Sequence, residues 1–231
     1  MASSIKIAPT YYEQDGIRYD RITEVIGAMW PKPELQDWRA QVGKARANRD
    51  LRHAEHIGKL VDAAITAILS GTSPIKFDKS VEVRQALRGF SEWHKLNPIK
   101  PVAMQMPLLD LVRSVGGTPD CLTEHEGFDW KTSARFNFGQ VLQIDQYWRL
   151  AEQQGYELRQ FRLVRFDKIL GIWEELVLGP TGLLWNELWL TRDDLGRVFD
   201  TLLQLYHQWQ YVSGQVCSLP KLPLEASTEA V

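Results

Sequence analysis

The chain has 231 residues, of which 44% are hydrophobic and 24% are charged, and its formal net charge is −2 at pH 7. This length suffices for one sizeable domain or two small ones, and the composition excludes both a disordered protein and one that coats nucleic acid through bulk positive charge. No apolar run approaches the ~18 residues that span a bilayer, and the amino terminus lacks a signal-peptide pattern, so we expect a cytoplasmic protein.

Turn and helix signals dominate the first hundred residues. Asp15-Gly16 predicts a short hairpin that leads into a helix. A proline-containing start near residue 31 opens a segment that reads as helical to about residue 50. Apolar spacing then predicts a helix that stops near Gly71, and another from Val81 to Leu96.

A basic segment lies between residues 39 and 59. It contains six cations against two carboxylates, namely Arg39, Lys44, Arg46, Arg49, Arg52 and Lys59 against Asp50 and Glu55. Such a face could contact phosphates despite the small net charge. A solvated helix surface explains the same residues, and charge alone favours that interpretation.

Strand patterns begin after residue 100. Residues 101–133 predict two or three strands with breaks at glycines, followed by a helix that ends at Gly155 and by two further strands over 156–167 and 170–179. Thr191 and Asp194 resemble a capping box that starts the last helix. The order of these elements predicts an α/β fold with a mixed sheet and helices on both sides.

Only two cysteines, Cys121 and Cys217, are present. Two thiols this far apart in the sequence cannot by themselves hold a four-thiolate cluster or a structural zinc ion. Because disulfides are rare in a reducing compartment, we expect two free thiols.

The segment GGTPDCLTEHEGFDWKTS places two carboxylates and one amine on either side of a polar turn. On a strand, Asp129 and Lys131 share one face, while Phe128 and Trp130 occupy the other. Asp120 lies on the preceding strand, so the turn brings both carboxylates beside the amine. Paired carboxylates with room for water suit a hard cation such as Mg²⁺, and a neighbouring lysine can position an attacking water. The set therefore suits phosphodiester hydrolysis, with a surface hairpin and its cross-strand ion pair as the alternative.

Longer motifs favour phosphodiester hydrolysis over a surface hairpin. GTPDCL followed by DWKTS resembles the Asp–spacer–Asp/Glu–x–Lys motif of the PD-(D/E)xK superfamily nucleases. QIDQY, in which Gln143 and Tyr147 share one helical face, is similar to the Gln-x-x-x-Tyr signature of RecB-like exonucleases. IRYDRITEVIGAMWPKPELQDW and GKLVDAAITAIL resemble amino-terminal segments of the phage and mitochondrial-genome-maintenance members. The resemblance covers about residues 17–170, and it excludes the iron–sulfur branch, which needs four cysteines.

The resemblance implies a restriction-endonuclease-like α/β fold with a mixed central β-sheet flanked by helices. We expect a single RecB-like nuclease domain over residues 1–213. Its parts are a helical region over 17–97, a catalytic core over 99–178 and a carboxy-terminal helix over 191–213, and residues 214–231 are expected to form a flexible tail.

The resemblance also implies a metal site. Asp120 and Asp129 would hold one or two Mg²⁺ (or Mn²⁺) ions, with the carbonyl of Trp130 as a further ligand, and Lys131 would position the attacking water. The family has a histidine where this chain has Asp62, which we therefore take as a further candidate ligand that is half-buried.

Gln143 and Tyr147 would orient the substrate end or contact its phosphate, although Tyr147 could instead be a core aromatic. Many relatives carry a glutamate where this chain has Gln105, and a neutral amide is a weaker ligand than a carboxylate. Four arginines are candidates for contacts to the DNA backbone, namely Arg46, Arg49, Arg52 and Arg135.

The resulting hypothesis is a metal-dependent DNA exonuclease of recombination, repair or replication, of phage type, acting on the ends of linear DNA. A structure-specific endonuclease with the same site is one alternative. A catalytically silent DNA-binding or assembly subunit is another, supported only by the departures at Asp62 and Gln105. The family further implies a single-strand annealing protein or a helicase as a partner, and oligomeric state is left open. No membrane association is expected.

Overall fold

The computed structural model describes residues 4–72 and 80–218 of the chain. Its helices are α1 (Ile22–Met29), α2 (Pro33–Val42), α3 (Lys44–Leu69), α4 (Val81–Leu96), α5 (Phe138–Gln153) and α6 (Arg192–Ser218). Its strands are β1 (Lys6–Ile7), β2 (Tyr11–Gln14), β3 (Ile17–Arg21), β4 (Ala103–Met104), β5 (Leu108–Asp110), β6 (Val115–Gly117), β7 (Cys121–Leu122), β8 (Glu126–Lys131), β9 (Gln160–Phe166), β10 (Trp173–Leu178), β11 (Leu183–Trp185) and β12 (Leu188–Leu190). Within the described ranges, no helix has the length and apolarity needed to cross a bilayer.

The strands form two five-stranded sheets and one hairpin. The first sheet has the order β1-β2-β3-β6-β5, the second has the order β10-β9-β8-β7-β4, and β11 pairs with β12. Both large sheets are mixed, because β3 pairs with β6 and β8 with β9 in parallel while the remaining neighbours are antiparallel. The prediction of an α/β fold with a mixed sheet flanked by helices is confirmed.

Helices cover both faces of the second sheet. On one face, α5 packs against Phe161 and Leu163 of β9, and α1 and α6 close over α5 to complete that core. On the other face, α3 and α4 pack against Phe128, Val164 and Phe166. Successive side chains of β9 thus enter opposite layers, as strand geometry requires.

The predicted hairpin and several helices are found where the sequence indicated them. Asp15 and Gly16 both have positive φ, 54° and 76°, which is the turn that suits a two-residue hairpin between β2 and β3. Helix α4 spans the predicted residues, and α5 is followed by Gly155 with a φ of 86°. Thr191 and Asp194 form the reciprocal hydrogen bonds of a cap at the start of α6.

Three features differ from the expectation. The helix predicted from about residue 31 to 50 breaks at Gly43, whose φ of 82° ends α2 before α3 begins. The segment predicted as two or three strands contains five, because short pairings alternate between the two sheets. The β11–β12 hairpin was not predicted, since its turn uses Asn186 and Glu187 at positive φ rather than a glycine.

Helix α6 continues to Ser218, five residues beyond the predicted end of the domain at 213, and residues 219–231 of the expected tail lie outside the described residues. Of the two predicted free thiols, Cys121 is free and buried. The side chain of Cys217 lies outside the part of the chain that the structure describes.

The turn between β5 and β6 is tied to both α5 and α6 through Asp110, which is 1% exposed. Its carboxylate accepts hydrogen bonds from the backbone and Nε of Arg113 and from Gln153 Nε2, at 2.7–3.0 Å. Arg113 in turn donates to Gln146 of α5 and Asp200 of α6. Burial raises the pKa of Asp110, but these hydrogen bonds and the Arg113 charge outweigh it, so the net pKa lies below the ordinary value.

Asp110→Asn is expected to lower the free energy of unfolding by about 2 kcal/mol at pH 7, because hydrogen bonds to a charged partner are lost. A lowered folded-state pKa stabilises the protein above the unfolded-state pKa of about 4, and this contribution is lost as pH falls through the folded-state value. Urea unfolding at pH 7 and at pH 3 should therefore show a large difference between variant and wild type that shrinks in acid. The exposed Asp37→Asn is the control, and equal stability of Asp110→Asn and wild type at pH 7 would contradict the expectation.

Candidate functional site

The two faces of β8 separate the polar site from the core. Phe128 and Trp130 pack edge-on against Trp93 of α4, with ring centroids 5.8 and 5.5 Å away. Asp129 and Lys131 lie on the opposite face, where Asp129 is 2% exposed and pairs with the Lys131 ammonium. The predicted division of these four residues between the faces of one strand is therefore confirmed.

Asp120 lies at the junction of the two sheets, between the end of β6 and the start of β7. The expectation placed it on a strand, whereas the structure places it one residue before β7. Its Oδ2 accepts a 2.6 Å hydrogen bond from the backbone N–H of Trp130, and its Oδ1 accepts one of 3.0 Å from Gln105 Nε2. The bond to Trp130 holds Asp120 beside the segment that carries Asp129 and Lys131.

Asp62 reaches the same place from α3. It is half-buried, as expected from its position at the edge of the apolar face, and its Oδ1 accepts a 2.9 Å hydrogen bond from Gln105 Nε2. Gln105 follows β4 and donates one amide hydrogen to each of the two carboxylates. Sequence reasoning had singled out both positions as departures from the family pattern, and the structure shows that they contact each other.

Gln143 and Tyr147 are stacked one turn apart on α5, above the polar face of β8. Gln143 Nε2 donates to Asp129 Oδ1 at 3.3 Å and to the Tyr147 hydroxyl at 2.9 Å. The start of α5 is held by a capping box in which Asn137 and Gln140 bond reciprocally. Tyr147 is also packed in the core, where it is 4% exposed. The core-aromatic interpretation of this residue is therefore confirmed, and its contact with substrate stays a prediction.

The electrostatics reflect three buried or half-buried carboxylates around one amine. Burial, followed by the charge of Asp129, raises the pKa of Asp62 to about 6. Burial, followed by the charges of Asp129 and Asp62, raises the pKa of Asp120 well above its usual value. Burial lowers the pKa of Lys131, but the attraction of the three carboxylates outweighs it, so its pKa is raised and it is an ammonium. The site therefore favours added positive charge.

These residues line one cavity of about 480 Å³. Sequence reasoning missed several of its lining residues, among them Arg21, Thr23 and Thr118. Arg21 donates hydrogen bonds to the backbone carbonyls of Ala8 and Pro9. These bonds hold its positively charged guanidinium beside the cavity. No local motif distinguishes Arg21, since only the pairing of β3 with β6 brings it beside the site.

The donor set is suited to a hard cation rather than a soft one. The side chains of Asp62, Asp120 and Asp129 offer oxygens, and Trp130, whose carbonyl is the further candidate ligand, lines the same cavity. No group of three or more His, Cys, Asp or Glu side chains within residues 4–72 and 80–218 is already arranged to hold a metal ion. The contacts of the three carboxylates explain why they are not already arranged around one point. Gln105 lies between Asp62 and Asp120, and Lys131 pairs with Asp129.

Cys121 lies directly after Asp120 and faces the aromatic core instead of the cavity. Burial, together with the neighbouring Asp120 carboxylate, raises the pKa of its thiol to about 12. It is therefore a packing residue beside the site.

The candidate DNA-binding arginines are all exposed but are not equivalent. At 100° per residue along α3, Arg52 lies about 80° around the helix from Asp62, while Arg49 and Arg46 lie about 140° and 160° away. Arg46 and Arg49 also pair with Asp50, at 3.6 and 3.9 Å.

Arg135 stands apart from the α3 arginines. It lies between β8 and α5 and pairs with Glu34 of α2. Of the three arginines on α3, Arg52 is thus the nearest to Asp62 around the helix, and Arg135 lies on the connection from β8 to α5.

Comparisons with known proteins show a distant structural likeness. No family model matches the chain, and no curated protein matches it. Among solved structures, the chain is similar to the crystal structure of an alkaline exonuclease (LHK-Exo) from Laribacter hongkongensis, with a TM-score of 0.43 and 11% sequence identity. The match covers 87% of this chain and 95% of that chain.

Gly117→Ala is expected to disturb the site from the first sheet. A Cβ at this position would lie 2.3 Å from the Tyr147 ring, so the ring that anchors Gln143 must shift. Overpacking of this kind costs about 1–3 kcal/mol, and thermal unfolding should show a corresponding loss.

Gly27→Ala in α1 is the matched control, because its added Cβ meets no atom within 4 Å. This control should retain or slightly increase stability, since alanine is the better helix former. A Gly117→Ala protein that melts with the wild type would show that Tyr147 is not tightly packed.

Proposed function

We propose that this protein is a metal-dependent nuclease of the PD-(D/E)xK superfamily that acts on DNA. One observation carries the proposal: Asp120, Asp129 and Lys131 converge on the wall of one cavity although eight residues of chain lie between the two carboxylates. The chain builds this arrangement with a polar turn, an aromatic core face and a backbone-to-carboxylate hydrogen bond. A surface hairpin with an ion pair would need neither the burial nor the cavity.

Asp120 and Asp129 are the residues that would hold the cation, because both offer oxygen ligands to the cavity. Asp129 is buried on β8, and Asp120 is half-buried at the junction of the sheets. A bound Mg²⁺ or Mn²⁺ would lower the pKa of a water molecule and polarise the phosphodiester. The crowded carboxylates supply the electrostatic demand for such an ion, as their raised pKa values indicate.

Lys131 has a role that follows from its charge. Its side chain is 20% exposed, lines the cavity and is held in place by Asp129. Its ammonium can donate hydrogen bonds to a water and to a phosphate oxygen. It positions the nucleophile and offsets charge that develops on the phosphate.

Gln143 and Tyr147 fix the geometry of this centre. The Gln143 amide bridges the Asp129 carboxylate and the Tyr147 hydroxyl, so it restrains Asp129 from the side opposite Lys131. Gln143 also lines a second cavity of about 320 Å³ that shares Thr23 and Lys131 with the first. We therefore assign Gln143 to positioning the site and to contacting the substrate strand.

We further propose that the enzyme is a RecB-like exonuclease that acts on linear DNA. Support comes from the Gln143–Tyr147 pair, which in this structure contacts the catalytic carboxylate directly, and from the order of the motifs along the chain. Partners in recombination or replication, such as a single-strand annealing protein, belong to this proposal through the family resemblance alone.

Digestion of end-labelled linear DNA, with closed circles alongside, tests the activity in Mg²⁺, Mn²⁺ or EDTA. Wild-type protein should degrade linear DNA in a metal-dependent way, and Lys131→Ala should reduce the rate by at least about 10²-fold, because it removes a charge aimed at the reacting phosphate. Lys95→Ala, which alters an exposed lysine on α4, should leave the rate unchanged. Cutting of circles would replace the exonuclease with an endonuclease, and DNA binding without any cleavage would establish a silent subunit.

DNA affinity should depend on Arg52 more than on Arg46. Arg52 lies about 80° around α3 from Asp62, against about 160° for Arg46, and about 15 Å from it along the helix axis. Arg52→Ala should therefore weaken binding and lower the slope of log affinity against log salt concentration by about one phosphate contact. Arg46→Ala, on the opposite side, is the matched control. Fluorescence anisotropy at several salt concentrations measures the DNA affinity of both variants and its salt dependence. A larger loss of affinity for Arg46→Ala would place the DNA on another surface.

A further inference from the structure

Gln105 has an unusual backbone conformation for its position. Its φ is 49°, in the left-handed region that side-chain-bearing residues rarely adopt. The other non-glycine residues with positive φ in the described ranges lie in turns between antiparallel partners, at Asp15, Ser114, Asn186 and Glu187. Gln105 instead lies where the chain passes from β4 of one sheet to β5 of the other, and its N–H donates to the carbonyl of Asp120 at 3.1 Å.

The side chain of Gln105 occupies the space between two carboxylates. Its Nε2 is 2.9 Å from Oδ1 of Asp62 and 3.0 Å from Oδ1 of Asp120. Both partners are acceptors when ionised, so the nitrogen end of the amide must face them and both of its hydrogens are used. The partially positive NH₂ group thus contacts the two carboxylate oxygens that a shared cation would also bind.

We propose that the Gln105 amide is a two-state element of the cation site. Without a cation, its nitrogen links Asp62 to Asp120; with a cation between them, the amide turns by half a rotation and presents Oε1 as a neutral ligand. This deepens the proposed function, on whose cation it rests. Amide oxygens are accepted ligands of hard divalent cations.

The geometry makes this exchange local. The backbone of Gln105 is pinned to Asp120 by the N–H to carbonyl bond, so rotation about the last side-chain torsion replaces nitrogen with oxygen without moving the chain. The terminal torsion of glutamine is broad and roughly two-fold, which suits such a reversal. Asp62, Asp120 and the Gln105 amide would then hold the cation together, supplying two carboxylates and one neutral oxygen.

The test measures cation binding in the absence of DNA, by calorimetry with Mg²⁺ and Mn²⁺ and by Tb³⁺ luminescence excited through tryptophan. Gln105→Met keeps an unbranched side chain of similar length but has no ligand oxygen, and it should weaken cation affinity about tenfold. Gln105→Glu places a carboxylate at the same point and should strengthen affinity by a similar factor. Gln204→Met, an exposed substitution on α6, is the matched control and should have no effect.

Each possible result for cation affinity either supports or overturns the proposal about Gln105. Tighter binding by Gln105→Met would mean that the amide only competes with the cation, and unchanged affinity would mean that it is purely structural; both overturn the proposal. Circular dichroism verifies that each variant is folded. If Gln105→Met does not fold, Gln105→Glu becomes the deciding variant, and a cation affinity no higher than that of the wild type overturns the proposal. A wild-type protein that binds no cation would remove the proposed function as well, whereas metal-dependent cleavage with equal affinities would remove this inference alone.

Discussion

The alternation of side chains along β8 is the constraint on which the rest of the site depends. Phe128 and Trp130 are held by aromatic packing against α4. Because side chains alternate along a strand, Asp129 and Lys131 must lie on the opposite face. A shift of register by one residue would bury the two charged groups among aromatic rings, at a cost far above that of any single contact. The packing of the core therefore sets the orientation of the polar residues.

The two sheets meet at the same place, and this meeting completes the centre. The chain leaves the first sheet after Gly117, passes through Asp120 and enters the second sheet at Cys121. Gly117 packs against the Tyr147 ring, and Thr118 bonds to the Tyr12 hydroxyl at 2.9 Å. The amino-terminal hairpin is thus connected through these contacts to α5 and to Gln143. The residues proposed to contact substrate and those proposed to hold the cation therefore belong to one packed unit.

Local pattern was sufficient to predict part of this arrangement. A period of two placed Asp129 and Lys131 on one strand face, and a spacing of four placed Gln143 and Tyr147 on one helix face. The remainder depends on contacts between residues distant in sequence. The amide link from Gln105 to Asp62 spans 43 positions, and Arg21 reaches the cavity only through parallel pairing of β3 with β6. Gly43 interrupts a helical pattern that its neighbours would otherwise continue, and the β11–β12 turn lacks the glycine that usually signals such a hairpin.

The raised pKa of Cys121 has a consequence for the chemistry of the whole centre. Alkylating reagents and peroxides attack the thiolate form, and a thiol whose pKa is about 12 supplies almost none of it at neutral pH. The thiol of Cys121 is therefore a poor target for both kinds of reagent, although it directly follows a carboxylate that lines the cavity.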